Sequence, residues 1–235
     1  MEKIILKVRE ELRKNIDSKT LETGQHFFKE KIDFYGVTIP KVNKIADQLF
    51  KEIMNEPKPR ILEYCEQLFQ SENLEESFVA SDWSYQLANQ YTKDDFLIFQ
   101  KWINEYINNW ASCDTLCNHT VGTLVEQFPE LIDDLIHFTD ADNRWVKRAA
   151  AVTLIIPARK GLFLEHIFKI ADILLLDPDD LVQKGYGWML KAASQAHQEE
   201  VFQYVIEKKA IMPRTSLRYA IEKMPTELKK LAMEK

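Results

Sequence analysis

Cysteine is scarce: three residues, at 65, 113 and 117, in a chain of 235. Three thiols make no disulfide framework of the kind that staples a secreted domain. No apolar run approaches the roughly 20 residues that a membrane span needs. The opening stretch MEKIILKVREELRKN mixes charge with apolar residues and has no secretory apolar core. These absences together predict a protein of the reducing cytoplasm with no membrane partner. Segments of alternating β-branched residues flanked by Asn-Gly or Gly-Gly turns are also missing, which argues against a sheet. The chain carries no Gly-rich phosphate loop and no HExxH motif. Cys113-x3-Cys117 with His119 falls short of the four ligands of a structural zinc site. Those thiols read as small buried apolar groups, and no metal is expected.

What the chain does have is the composition of a globular protein, 46% hydrophobic and 29% charged. Its length allows one substantial core, so a single domain over residues 1–235 is expected, and a monomer is the simplest state. The net charge of −6 is unevenly spread. Residues 1–60 hold 13 basic and 10 acidic side chains, residues 61–143 hold 2 and 16, and residues 144–235 hold 16 and 11. The two ends are therefore basic and the middle strongly acidic. Such asymmetry lets a fold turn basic surface toward a polyanion, although solvated helix faces give the same pattern.

Helical periodicity runs almost throughout. KIILKVREELRK (3–14) places Ile4, Ile5, Val8 and Leu12 on one stripe. Asp17 or Ser18 can cap a second helix reaching Phe27 and Phe28. Pro40 opens a third, where Val42, Ile45, Leu49 and Ile53 recur, and 57-PKPR-60 ends it. Further helices are predicted over 60–70, 74–90, 94–106, 111–127, 130–138, 142–156, 162–175, 179–194, 198–208 and 214–223. Asp177-Pro178-Asp179-Asp180 is a helix start with acidic first-turn residues. The stripe Val152, Ile155, Ile156 and the run Ile173, Leu174, Leu175, Leu176 read as core. Many short helices on short connections predict an all-α fold, a curved α-solenoid of HEAT-like antiparallel helix pairs with a concave groove. The five Trp residues share no common spacing, so no strict repeat supports it.

Three helical segments pair an indole with a charged group: Trp110-x3-Asp114, Trp145-x2-Arg148 and Gln183-Lys184-x3-Trp188. Residues three or four apart share a helix face, so each segment can set an aromatic surface beside a charge. Filling gaps in the core is the bland alternative for any one indole. A carboxylate beside an indole on a ligand-facing surface can stabilise a developing cation. Lys147-Arg148, Arg159-Lys160, Lys208-Lys209 and Arg214 with Arg218 are candidates for contacting phosphates, against the ordinary reading of solvated cations.

The motifs NWASCD (109–114), RWVKRAA (144–150) and VQKGYGWML (182–190), with FYGVTIPKVNKIA (34–46), resemble those of the AlkD-type DNA alkylation-repair glycosylases, a HEAT-like-repeat family. The resemblance covers nearly the whole chain. It implies that Asp114 is the catalytic carboxylate, that Trp110 and Trp188 pack around the lesion's deoxyribose, and that Arg148 supports the backbone and the site. Arg144, Lys147, Lys184, Arg214 and Arg218 are then the DNA-binding cations. The implied reaction removes N3- and N7-alkylated purines from double-stranded DNA without metal or redox cofactor. The damaged nucleotide stays in the stack, unlike the usual route of base flipping. Two places depart from the family pattern. Ala111 stands where an acidic residue commonly follows the indole, and the segment around Gly24-Gln25-His26-Phe27 matches loosely a helix the family sets against the minor groove. A binding module of the same fold, holding branched or damaged DNA or another protein without catalysis, is the alternative reading.

Overall fold

The computed structural model describes residues 2–234, and among them there is no β-strand, only an isolated bridge between Asp33 and Asn73. The fold is all-α. Its helices group into two compact units, Met1–Thr120 and Val121–Lys235.

The first unit holds α1 (Lys3–Lys14), α2 (Ser18–Thr23), α3 (Ile39–Ile53), α4 (Lys58–Phe69), α5 (Leu74–Gln86), α6 (Asp95–Glu105) and α7 (Trp110–Thr115). The predicted stripes are buried: Ile4, Ile5, Val8 and Leu12 on α1, and Val42, Ile45, Leu49 and Ile53 on α3. Asp17 caps α2, accepting from Thr20 N–H at 2.7 Å. The centre of the unit is α5, which packs against α1, α3, α4 and α7 and is buried on nearly every side. A helix in that position shows little amphipathicity, because neighbours cover its polar face too. Trp83 anchors it to α3 by donating from Nε1 to the Ala46 carbonyl at 3.0 Å.

Two buried carboxylates begin α5. Asn73 caps the helix, accepting from Glu75 and Glu76 N–H. Glu75 turns back and accepts three backbone N–H groups, from Tyr35 at 2.9 Å, Gly36 at 2.7 Å and Val37 at 2.9 Å. Glu76 accepts the Arg9 guanidinium at 2.9 Å and the Tyr35 hydroxyl at 2.7 Å. A buried carboxylate is tolerated only when its charge is met by donors, and the positive end of the helix dipole adds to them here. Burial and the bond to Glu76 push the Tyr35 phenol well above its ordinary range. The loop is turned by Gly36 at φ +84, and any Cβ there would stand 2.6 Å from that of Leu21.

The second unit holds α8 (Gly122–Gln127), α9 (Ile132–His137), α10 (Arg144–Val152), α11 (Ile155–Arg159), α12 (Leu164–Leu174), α13 (Asp180–Ala193), α14 (Gln198–Lys208), α15 (Arg214–Ala220) and α16 (Thr226–Met233). Here α13 is the central helix, packed by α10, α11, α12, α14 and α15.

Four expectations need correcting. The helix expected over 142–156 is two helices, α10 and α11, with Thr153 and Leu154 between them. Pro157 causes this: it has no N–H for the residue 153 carbonyl, and its ring crowds that group. The stretch expected as one helix over 111–127 widens into a π-turn over Leu116–Val121. Ile173 and Leu176 lie outside the core, Leu176 at 67% exposure. The buried stripe of α12 is Ile167, Ile170, Ala171 and Leu174, from which residue 173 falls away, while residue 176 lies beyond the helix end. Finally, α16 was not expected; its one buried residue, Ala232, gives no readable stripe.

Glu75→Ala strips three buried N–H groups of their acceptor at once. The variant is expected to lose about 3 kcal/mol or more of unfolding free energy in urea titrations, and Glu75→Gln a smaller amount.

Candidate functional site

In the first unit the site is built on α7. Asn109 caps the helix, accepting from Ser112 N–H at 2.9 Å and donating from Nδ2 to Ser112 Oγ at 3.0 Å. Ser112 Oγ in turn lies 2.6 Å from Ser77 Oγ on α5, which ties the start of α7 to the buried central helix. Trp110, the first residue of α7, is held on two sides. Its Nε1–H donates to the Phe27 carbonyl at 3.3 Å, and its ring stacks on Phe28 with centroids 5.5 Å apart and planes 24° apart. The indole is still only half-buried. Phe27 itself projects into solvent at 71% exposure.

Asp114 follows one turn after Trp110 and is 8% exposed. Behind it the α-helical pattern gives way to the π-turn, and Asn118 supports the backbone there by donating from Nδ2 to the Asp114 carbonyl at 2.8 Å. Such wide turns are frequent where a helix carries a functional group. An apolar cleft of about 340 Å³ adjoins the indole, lined among others by Phe27, Phe28, Phe34, Phe78, Trp110 and Ala111. The alanine at 111 therefore adds no charge to this wall.

In the second unit the candidate site residues lie on α10, α13 and α15. Asp179 caps α13, accepting from Leu181 N–H at 2.8 Å. Tyr186 fixes the helix from within: its hydroxyl donates to the Leu175 carbonyl at 2.9 Å and sits 2.6 Å from Ser216 Oγ of α15. Burial pushes this phenol up to about 12, against the opposing effect of the Ser216 bond. Gly187 lets α15 approach closely, since a Cβ there would stand 2.8 Å from Tyr219 Cβ and 2.9 Å from the Ser216 carbonyl. Trp188, next along, is half-buried.

The basic residues expected to meet phosphates divide into two groups. Arg148 is 5% exposed and donates to the Leu181 carbonyl, so it joins α10 to the first turn of α13. Arg144 pairs with Asp179 at 2.8 Å, Lys147 with Asp177 at 2.8 Å and Lys184 with Asp180 at 3.0 Å. The acidic run read as a helix start thus also neutralises the cations of the two indole motifs, a role that sequence reading missed. Arg214 and Arg218, one turn apart on α15, are exposed and carry no ion pair among the described residues. Lys160 pairs with Glu126 at 2.7 Å and Lys208 with Asp172 at 2.7 Å. Lys209 donates to the Leu231 carbonyl at 3.0 Å.

Of the five indoles, Trp83 and Trp102 are fully buried and Trp145 is 7% exposed, with the Arg144 guanidinium 5.0 Å over its ring. Trp145 is therefore a core residue and does not present an aromatic surface beside Arg148, as its spacing had suggested. The two indoles that keep open surface are Trp110 and Trp188. Cys113 and Cys117 are buried, as is Cys65, whose thiol burial pushes far up. The contacts of Phe27 and Phe28 with Trp110 were not foreseen; two adjacent phenylalanines in an otherwise polar stretch were the available signal.

The fold defines an all-α protein of the kind seen in a solved structure described as a predicted DNA alkylation repair enzyme from Enterococcus faecalis, with a TM-score of 0.79 at 19% sequence identity, covering 90% of this chain and 98% of that one. No curated protein sequence matches the chain. Residues 8–224 match the family described as DNA alkylation repair enzyme, and the chain belongs to that family. Its role is accordingly in DNA repair. Among the described residues no helix is long and apolar enough to cross a membrane.

Gly187→Ala forces a methyl group against the α15 backbone beneath Trp188. A loss of roughly 1–3 kcal/mol is expected, as for overpacking of a tight core, and a urea titration measures it.

Proposed function

We propose that the protein is a DNA glycosylase that hydrolyses the N-glycosidic bond of cationic N3- and N7-alkylated purines in double-stranded DNA, with the damaged nucleotide left in the stack. The observation that carries the reading is the sorting of the indoles. Three are buried, and the two that keep open surface, Trp110 and Trp188, are the two assigned to the lesion's deoxyribose. Trp110 in addition is fixed by a hydrogen bond and a stacked ring, so its exposed surface is ordered before any ligand arrives.

The chemistry needs few groups. An alkylated purine already carries positive charge and leaves as a neutral base, so general-acid assistance at the base is dispensable. As the bond from the base nitrogen to C1′ lengthens, cationic character moves onto the deoxyribose. The Asp114 carboxylate opposes that charge, and indole faces add cation–π attraction. Water then bonds to C1′ and gives up its proton, by way of Asp114, to solvent. The products are the free base and an abasic site. One carboxylate serves where ordinary glycoside hydrolysis uses two, because the leaving group needs no protonation. Burial of Asp114 strengthens its effect, since charges interact more strongly away from water.

Arg148, buried between α10 and α13, is assigned a positioning role, and Trp188 supplies the second indole. Arg144, Lys147 and Lys184 already face carboxylates, so their contribution to phosphate binding requires exchanging one partner for another. Arg214 and Arg218 need no such exchange and are assigned the larger share.

Asp114→Asn is expected to lower excision at least 100-fold on duplex DNA carrying 7-methylguanine, scored as abasic sites, with the melting temperature little changed. Wild-type release of base by that variant refutes the assignment. Replacing Arg214 and Arg218 together by Gln should weaken binding of undamaged duplex and flatten its log–log salt dependence by roughly 0.9 for each phosphate that is no longer neutralised. Arg144→Gln with Lys147→Gln should flatten it less, and the reverse order would reassign the basic surface.

A further inference from the structure

A second cleft in the first unit is not used by this mechanism. It has a volume of about 390 Å³ and is lined by Ile39 and Asn43 of α3, Phe78, Ser81, Asp82 and Tyr85 of α5, Thr115 at the end of α7 and His119 beyond it. Ile39 and Phe78 also line the apolar cleft beside Trp110, so the two adjoin.

Asn43, Tyr85 and His119 are open to solvent here, unlike the buried polar groups of α5. Ser77, Ser84, Glu75 and Glu76 are all spent on internal partners. The Asn43 amide, the Tyr85 hydroxyl and the His119 ring, all on exposed residues, make no hydrogen bond to another described residue and so stay open to a ligand. Asp82 accepts from Gln86 Nε2 at 2.6 Å through Oδ1, which leaves Oδ2 available. Tyr85 and His119 pack with ring centroids 5.5 Å apart and planes at 55°, making an aromatic corner in the same cleft lining as Asp82. Burial lowers the His119 pKa and so favours the neutral ring, while burial and the nearby Asp47 raise that of Asp82. No cation faces this carboxylate among the lining residues.

An acidic cleft repels phosphate and accepts N–H donors. A carboxylate with an open oxygen, beside two aromatic faces, suits a flat ring bearing adjacent N–H donors. The N1–H and 2-amino group of a guanine-type base form such an edge. Adenine, with an acceptor at N1, does not offer it. We propose that this cleft binds a guanine-type nucleobase through Asp82, with the base lying against Tyr85 and His119 and the Asn43 amide reaching its rim. The inference rests on the glycosylase reading and deepens it, because the free base it takes is the product of that reaction.

The probe is 7-methylguanine as the free base, titrated into the whole protein and followed by calorimetry or by NMR shifts of the His119 ring. Binding is expected to weaken roughly tenfold or more in Asp82→Asn, since a bond to a charged acceptor is lost and an unwanted donor is added. Tyr85→Ala, at an exposed position, should weaken it severalfold without unfolding the chain. Adenine should bind roughly tenfold less well than the guanine-type base. A short single-stranded guanine-containing oligonucleotide forms the second arm. Binding of the free base alone marks a product site, and binding of both marks a site for a base still on its strand. No measurable binding of either, or equal affinity in wild type and Asp82→Asn, overturns the proposal. Asp114→Asn separates the two readings: it should keep 7-methylguanine binding while losing excision, and Asp82→Asn the converse. If wild type fails to excise yet binds the base through Asp82, the glycosylase reading falls and the cleft stands.

Discussion

Two buried glutamates at the start of α5 hold the first unit together. Glu75 and Glu76 sit at the positive end of a helix dipole and receive three backbone N–H groups, a guanidinium and a phenol between them. The penalty for burying two carboxylates is met only if every one of those donors arrives. That condition forces the loop over residues 33–37 onto α5, and the loop is continuous with the segment that contacts Trp110. The orientation of an indole on α7 thus traces back, through Phe27 and Phe28, to charges at the start of another helix.

The second unit applies the same strategy with different chemistry. Its central helix, α13, is pinned by a phenol with two partners, by an arginine spanning to a backbone carbonyl, and by a glycine that admits the α15 backbone. In both units the helix bearing the central packing is surrounded, and the buried polar groups on it, such as Glu75, Glu76, Ser77 and Tyr186, are internally bonded. Side chains left with open surface against this background stand out: Trp110, Trp188, Arg214, Arg218, and the lining of the Asp82 cleft. A buried polar network fixes geometry, and the groups excluded from it are free to meet a ligand.

The acidic run at 177–180 shows how local electrostatics redistributes function among residues of one type. Arg144, Lys147 and Lys184 share charge with Arg214 and Arg218, yet each of the three faces an aspartate. Partly buried pairs of this kind are screened less by salt than exposed cations. The Arg144 and Lys147 pairs tie α10 to the segment that opens α13, whereas the Lys184–Asp180 pair lies within α13 itself.

Much of this was written in the sequence. The stripes of α1 and α3, the Asp17 cap and the all-α character follow from 3.6-residue periodicity and side-chain oxygens placed before apolar runs, both of which act over a single turn. That Trp110, Asp114, Arg148 and Trp188 lie on helices was likewise legible. Local pattern could not sort the five indoles into three buried and two open, because burial depends on what other helices bring to each face. The break at Thr153 lay four residues before the proline that causes it, and the π-turn after Asp114 left no compositional mark. Spacing put Trp145 beside Arg148, whereas packing buried the indole and turned the arginine toward Leu181. Residue type and helical period are properties of the chain, and exposure and pairing are properties of its neighbours, which the tertiary structure alone supplies.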